Sequence, residues 1–276
     1  SRSRRITRAG CGVEIDRVYN RDCIEGMREM EENSVDLVVT SPPYNVGIPY
    51  DIYDDTLPWA EYYRWCASWL TEVHRVLKPD GRLCLNHYFS LGSGKCRTAP
   101  LMVLNGIAQE VGLSHKSVAI WYDSHRPKCT AWGSWLSASA PYITSPAEGI
   151  LFLYKDTWKK QRPGKSTIEK EEFLEAISGI WKIRPESKPW TKANFPVEIP
   201  LRCIRLLSYE GDLVLDPFMG AGTTAVAALL ERRHYLGFEL SPAYCAIAQT
   251  RVAEVASLRS LKAVETTDPP VKSISP

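Results

Sequence analysis

Toward its carboxyl end the chain carries a strand, a glycine loop and a helix start in one unbroken run: Leu213-Val214-Leu215-Asp216-Pro217-Phe218-Met219-Gly220-Ala221-Gly222-Thr223-Thr224. Such a run puts the loop at the carboxyl edge of an open α/β sheet, where these folds bind ligands. Glycines let the backbone approach a ligand closely, and the helix start favours negative or polar groups. Asp216 closes the strand and suits a cation or a hydroxyl. The next strand, Tyr235-Leu236-Gly237-Phe238-Glu239, ends in an acid 17 residues after Gly222. A carboxylate there typically accepts hydrogen bonds from both ribose hydroxyls. About 60 residues follow Asp216, which leaves room for only two strands. The others must come from the amino-terminal half, so the element order is permuted.

A second strand end carries different chemistry. The apolar run Val35-Asp36-Leu37-Val38-Val39 leads into Thr40-Ser41-Pro42-Pro43-Tyr44-Asn45. This grouping suits a grip on a flat, amino-bearing ring. Prolines stiffen the backbone and leave their carbonyls as acceptors. Tyr44 offers a face for stacking, and Ser41 offers a further acceptor.

Periodicity supplies the rest of the sheet. A short strand at Arg17–Tyr19 precedes a helical stretch near Asp22–Glu32. Apolar positions at Trp59, Tyr62, Tyr63, Cys66, Trp69, Leu70, Val73 and Leu77 have helical spacing. Lys78-Pro79-Asp80-Gly81 ends that helix and turns the chain into a strand at Leu83–Leu85. A helix near 101–111, strands near 117–122 and 149–154, and a helix over 197–208 follow. The last third adds a strand at Asp212–Leu215, helices over 223–232 and 242–257, and the strand at 235–239. Strands near 18, 38, 84, 119, 151, 214 and 237 make seven. Three stretches lack clear strand periodicity, about 86–99, 124–148 and 155–178. The segment Lys155–Lys165 holds five basic residues against one acid, with Trp158 among them. Basic and aromatic side chains together suit nucleic-acid contact.

Composition narrows the class. A formal charge of +2 does not announce a nucleic-acid binder, so any such surface is local. The eight cysteines show no C-x-x-C spacing, and no metal site is expected. No apolar run approaches the roughly 18 residues of a membrane span, and no signal peptide is read, so a cytoplasmic protein without a membrane partner is expected. Residues 1–12 read as a flexible basic arm, 13–257 as a single domain, and 258–276 as a disordered tail. Gly220-x-Gly222-x-x-Ala225 also fits a dinucleotide fingerprint, which keeps a nicotinamide-dependent oxidoreductase as a remote alternative. Asp216 and Glu239 suit a ligand with an ammonium group and a ribose better than one with a pyrophosphate.

Ser41-Pro42-Pro43-Tyr44 followed later by Asp216-Pro217-Phe218-x-Gly220-x-Gly222-Thr223-Thr224 resembles the amino-methylating DNA methyltransferases, in the motif order of their β class. Gly179-Ile180-Trp181-Lys182-Ile183 and Asn194-Phe195-Pro196-Val197-Glu198-Ile199-Pro200 extend the likeness, which covers roughly residues 14 to 252. The family often has His-Pro where Thr191-Lys192 stands here. The resemblance implies an α/β fold with a seven-stranded, mostly parallel sheet and helices on both faces, Rossmann-like, with S-adenosyl-L-methionine as cofactor. It implies methyl transfer to an exocyclic amine of a base flipped out of double-stranded DNA. Ser41, Pro42, Pro43 and Tyr44 would form the amine site. Asp22, Thr40, Asp216, Phe218, Gly220, Gly222, Thr223, Thr224 and Glu239 would line the cofactor. Asn45, Lys159, Lys160, Arg162 and Lys165 would contact DNA. In this family a serine at the first motif position usually accompanies cytosine N4 and an aspartate adenine N6, so cytosine N4 is favoured and adenine N6 is the near alternative. A homodimer and a cognate restriction endonuclease are candidate partners.

Overall fold

The computed structural model describes residues 13–48, 52, 55–91, 98–122, 133–141, 143, 147–186 and 195–265, with side chains to 259. The arm at 1–12 and the chain beyond 265 lie outside these residues.

Eight strands form one sheet: β1 (Arg17–Asn20), β2 (Val35–Thr40), β3 (Leu77–Tyr88), β4 (Ser114–Tyr122), β5 (Ala147–Tyr154), β6 (Ile180–Trp181), β7 (Leu213–Asp216) and β8 (His234–Glu239). Their spatial order is β1-β8-β7-β2-β3-β5-β4-β6. All neighbours are parallel except the two pairs that β5 makes with β3 and β4. The seventh-strand expectation is therefore corrected to eight, by the two-residue β6 beyond β4. A single strand, β5, runs against the rest, and the outermost pair, β4 with β6, is parallel.

All six residues of β2 are buried, as expected of a strand covered on both faces. From Leu37 onward alternation sorts its side chains, while Val35 lies before a register shift and falls on the same side as Val38. Val35 and Val38 join a core with α1 (Cys23–Arg28), α2 (Trp59–Val76) and α3 (Pro100–Glu110). Leu37 and Val39 join the opposite core with α5 (Glu198–Leu207), α6 (Thr223–Leu230) and α7 (Pro242–Glu265). The helix α2 buries Tyr62, Cys66, Trp69, Leu70, Val73 and Val76, the face its spacing predicts.

Three boundaries differ from the sequence reading. Strand β3 begins at Leu77 directly after α2. Its partner Val35 faces Leu77 and Leu37 faces Arg82, so Lys78–Gly81 bulges out within the strand rather than preceding it. Helix α4 (Lys170–Ile177) fills part of the stretch read as irregular; it buries only Ala176, so its periodicity is weak. Helix α7 runs on to Glu265, through the start of the expected disordered tail.

Among the described residues no helix is long and apolar enough to cross a membrane, and no three potential metal ligands gather. The five described cysteines, Cys23, Cys66, Cys84, Cys203 and Cys245, are buried free thiols.

Candidate active site

Strands β1, β8, β7 and β2 lie side by side and parallel, so their carboxyl ends form one edge. Along it stand Asp22, Glu239, the Asp216–Gly222 loop and Thr40-Ser41, in that spatial order. With strands about 4.8 Å apart, the row from β1 to β2 spans roughly 14 Å.

Asp216 ties the two key loops together. Its Oδ1 accepts from Thr40 Oγ1 at 2.7 Å and from the Phe218 backbone N–H at 3.0 Å. Its Oδ2 accepts from Thr224 Oγ1 at 2.7 Å. The carboxyl is 2% exposed. Burial pushes its pKa up to about 6, against the pull of these three donors, because none of them is a cation. Burial likewise raises Glu239, whose two oxygens accept from Gly220 N–H and Ser241 N–H at 2.8 Å each.

The two loop glycines differ in purpose. Gly220 has φ +52°, and a Cβ there would meet nothing within 4 Å, so the backbone faces open space. Gly222 has φ +79°, and a Cβ would crowd Ala248 at 2.9 Å; it packs α6 against α7. Thr223 is 5% exposed and faces Arg251 at 3.3 Å. Phe218 is half-buried against Trp65 and Trp69, with centroids 5.3 Å from each. Asp22 caps α1 by accepting from Ile24 and Glu25 N–H.

The amine motif is held as firmly. Ser41 Oγ donates to the Tyr44 hydroxyl at 2.7 Å, and Tyr44 donates to Glu148 Oε2 at 2.8 Å. Asn86 Nδ2 donates to Tyr44 O and to Glu148 Oε2. Burial, and then the Glu148 charge, hold the Tyr44 phenol well above its ordinary pKa. The ring is 9% exposed, 4.6 Å from His87 and edge-on to Tyr88 at 4.9 Å, so much less of it is open than a free stacking platform would show. His87 is buried, and its pKa is lowered to about 3. Its Nδ1 accepts from Tyr88 N–H, so Nε2 carries the proton and donates to Tyr62 O, which donates in turn to the Pro43 carbonyl at 2.7 Å.

Several expected DNA contacts are placed otherwise. Asn45 is 8% exposed with φ +58°; its amide donates to the Leu57 carbonyl, and it turns the loop rather than reaching outward. Asp55 holds this turn by accepting from the N–H groups of Asn45, Val46 and Ile48. Lys160 is also turned inward. Its ammonium lies between Asp36 at 3.3 Å and Asp212 at 3.1 Å, with a side chain 9% exposed. Lys165 pairs with Glu210 at 3.0 Å and stays exposed. Lys159 and Arg162 are exposed. This whole stretch packs at the amino edge, where Asp36, Asp80 and Asn33 lie. The structure does not bring it to Ser41: about 13 Å of β2 separates Asp36 from Thr40. At the carboxyl edge, instead, β3 and β4 end and β5 begins.

Sequence reading missed Glu148, Asn86, Tyr62, His87 and Asp55. A buried acid inside the apolar run Ala147–Tyr154 was the available signal for the first.

The profile of the DNA methylases of the N6/N4 type matches residues 35–250. The chain belongs to this family. Two type II methyltransferases of Methanocaldococcus jannaschii are similar. M.MjaVI is 45% identical over 58% of this chain and 82% of its own. M.MjaI is 30% identical over 87% and 93%. A Thermus thermophilus DNA modification methylase solved with S-adenosyl-L-methionine is 28% identical, with a TM-score of 0.70 over 87% of this chain and 93% of that one. PvuII DNA methyltransferase, cytosine-N4-specific, shares the fold at 23% identity and a TM-score of 0.66. The protein is thus a site-specific DNA methyltransferase of the amino-methylating family, dependent on S-adenosylmethionine. The nicotinamide alternative falls with that assignment. The residues fit the cofactor: open space beside Gly220 adjoins the buried Asp216 and the partly buried Glu239, which suits a cationic, hydroxyl-bearing ligand.

Proposed function

We propose that the enzyme methylates the N4 amine of a cytosine extruded from duplex DNA. The Thr40–Asp216 hydrogen bond carries this reading, because it seats the serine loop beside the glycine loop on adjacent strands. S-adenosylmethionine supplies an electrophilic sulfonium methyl. Asp216 and the Gly220 backbone would hold its amino-acid end, with Thr40, Phe218, Gly222, Thr223 and Thr224 shaping the loop around it. Glu239 would take the ribose, and Asp22 the adenine end.

A cytosine amine is a poor nucleophile because its lone pair is delocalised into the ring. Ser41 Oγ and the Pro42 carbonyl accept its two hydrogens and draw the nitrogen toward tetrahedral geometry. The lone pair then points at the methyl. Positioning of this kind supplies much of the acceleration. Ser41 is too weak a base to deprotonate the amine first, so the proton leaves after transfer. Tyr44, its ring mostly covered, borders the flipped base and orients Ser41. Residues 13–257 act as one methyltransferase domain, with the carboxyl edge of the sheet facing DNA. Serine at the first motif position favours cytosine over adenine.

The test is to incubate the protein with labelled S-adenosylmethionine and DNA and identify the nucleoside. N4-methylcytosine is expected. N6-methyladenine would overturn the choice of base, and unlabelled DNA the whole reading.

A further inference from the structure

The hydrogen bonds behind Ser41 have a direction, and the direction has a consequence for the substrate. Glu148 is 4% exposed, and Asn86 is 2% exposed. Asn86 Nδ2 donates to Glu148 Oε2 at 2.8 Å, which marks that oxygen as an acceptor. The reversed amide would set the Asn86 oxygen against two other oxygens that share one proton; the observed orientation leaves Asn86 Oδ1 buried without a partner, which is the lesser conflict. The Tyr44 proton, 2.8 Å from the same Oε2, therefore points at Glu148. Tyr44 O is left as an acceptor, taking one Asn86 N–H and the Ser41 O–H, each at 2.7 Å. A serine hydroxyl has a single proton, and here it is turned inward. What Ser41 presents to the site is lone pairs.

We propose that Glu148 and Asn86 are specificity-determining residues. Through Tyr44 they lock Ser41 as an obligatory acceptor, so the site takes a base bearing an exocyclic amine and rejects one bearing an oxo group. This rests on the amine reading above and deepens it. An unlocked serine could rotate and donate to an oxo group; a locked one opposes that oxygen with its own lone pairs. Sites built around a particular hydrogen-bond pattern reject the mismatched analogue, because a buried polar group is left unpaired. Glu148 and Asn86 are buried and bonded to the Tyr44 hydroxyl, so they act as positioning residues through Tyr44.

The test uses the duplex whose methylated position the product assay maps. At that position it carries a pyrimidine with an amino group, a hydrogen or an oxo group at C4: cytosine, 2-pyrimidinone or uracil. Binding is measured with S-adenosylhomocysteine present. In the natural protein the amino base should bind tightest and the oxo base weakest, roughly tenfold below the hydrogen-bearing ring. Tyr44→Phe removes the relay but keeps the ring, and should shrink the hydrogen-to-oxo gap at least about threefold while the cofactor dissociation constant stays within about twofold. Glu148→Ala should act in the same direction, with kcat falling more than the KM for cofactor rises.

An oxo base that binds the natural protein as well as the hydrogen-bearing ring would overturn the proposal. So would a full gap in Tyr44→Phe with cofactor binding intact. If the assay finds methylated adenine, the choice of cytosine fails by itself, and the lock is tested with adenine, purine and hypoxanthine.

Discussion

The two edges of the sheet use the same kinds of residue for opposite ends. At the amino edge, Asp36 is buried and met by Lys78 at 2.7 Å, Lys160 at 3.3 Å and the Leu213 N–H. Charge answers charge, and three chain-distant segments are clamped. At the carboxyl edge, Asp216 is buried as deeply but is met only by two hydroxyls and one N–H. Its charge is left to be completed by something else. A buried acid that already has cationic partners holds the fold together; one held by neutral donors is equipped to meet a cationic ligand.

The sharpest break in this comparison comes from Ser41→Ala at the carboxyl edge. Turnover should fall at least about a hundredfold while cofactor affinity holds, because this change removes an acceptor for the amine without touching the Asp216 cluster. Equal loss of both in a binding and rate assay would refute that role. Next is Asp216→Asn, expected to weaken the cofactor roughly tenfold or more. In the natural protein, titration calorimetry should show affinity falling as pH drops through about 6, since protonation removes the charge; the variant should be flat. The stability effect has the opposite sign. The folded pKa lies above the ordinary value of 3.8, so the stability this group contributes is fully present below pH 3.8 and is lost as pH rises through about 6.

Smaller effects belong to the amino edge. Lys160→Ala strands Asp36 and Asp212 with less compensation, and should cost about 3 kcal/mol in denaturant unfolding, with kcat per folded molecule unchanged. The least is expected from Lys159→Glu with Arg162→Glu. If DNA lies against the carboxyl edge, the salt dependence of DNA binding should change by less than about one counterion. A larger change would return this loop to the DNA interface.

How much of this was written plainly in the sequence depends on distance along the chain. The motif at 40–45 and the glycine loop announce themselves, because strand, turn and helix start are local patterns. That the two meet follows from strand order, and the Thr40–Asp216 contact bears this out. Helix α4 escaped because its apolar residues Phe173, Leu174 and Ile177 stay exposed and give no clean buried stripe. Strand β6 escaped because two residues carry no period. The fate of Lys160 was illegible for another reason: its acids lie 124 residues before it and 52 after, and a charge run looks the same whether it faces solvent or fills a gap. Lys78-Pro79-Asp80-Gly81 reads as a turn and is one, yet nothing local says that it sits inside a strand.

The pairing of β2 with β7 has a last implication. Lateral spacing between hydrogen-bonded strands is among the least compliant dimensions a protein offers, and in the proposed reaction the methyl donor and its acceptor are indexed to two such neighbours. β5 and β4 lie on the far side of β3 and do not enter that measurement. Change hung on those two strands leaves the gap between β2 and β7 with its calibration intact.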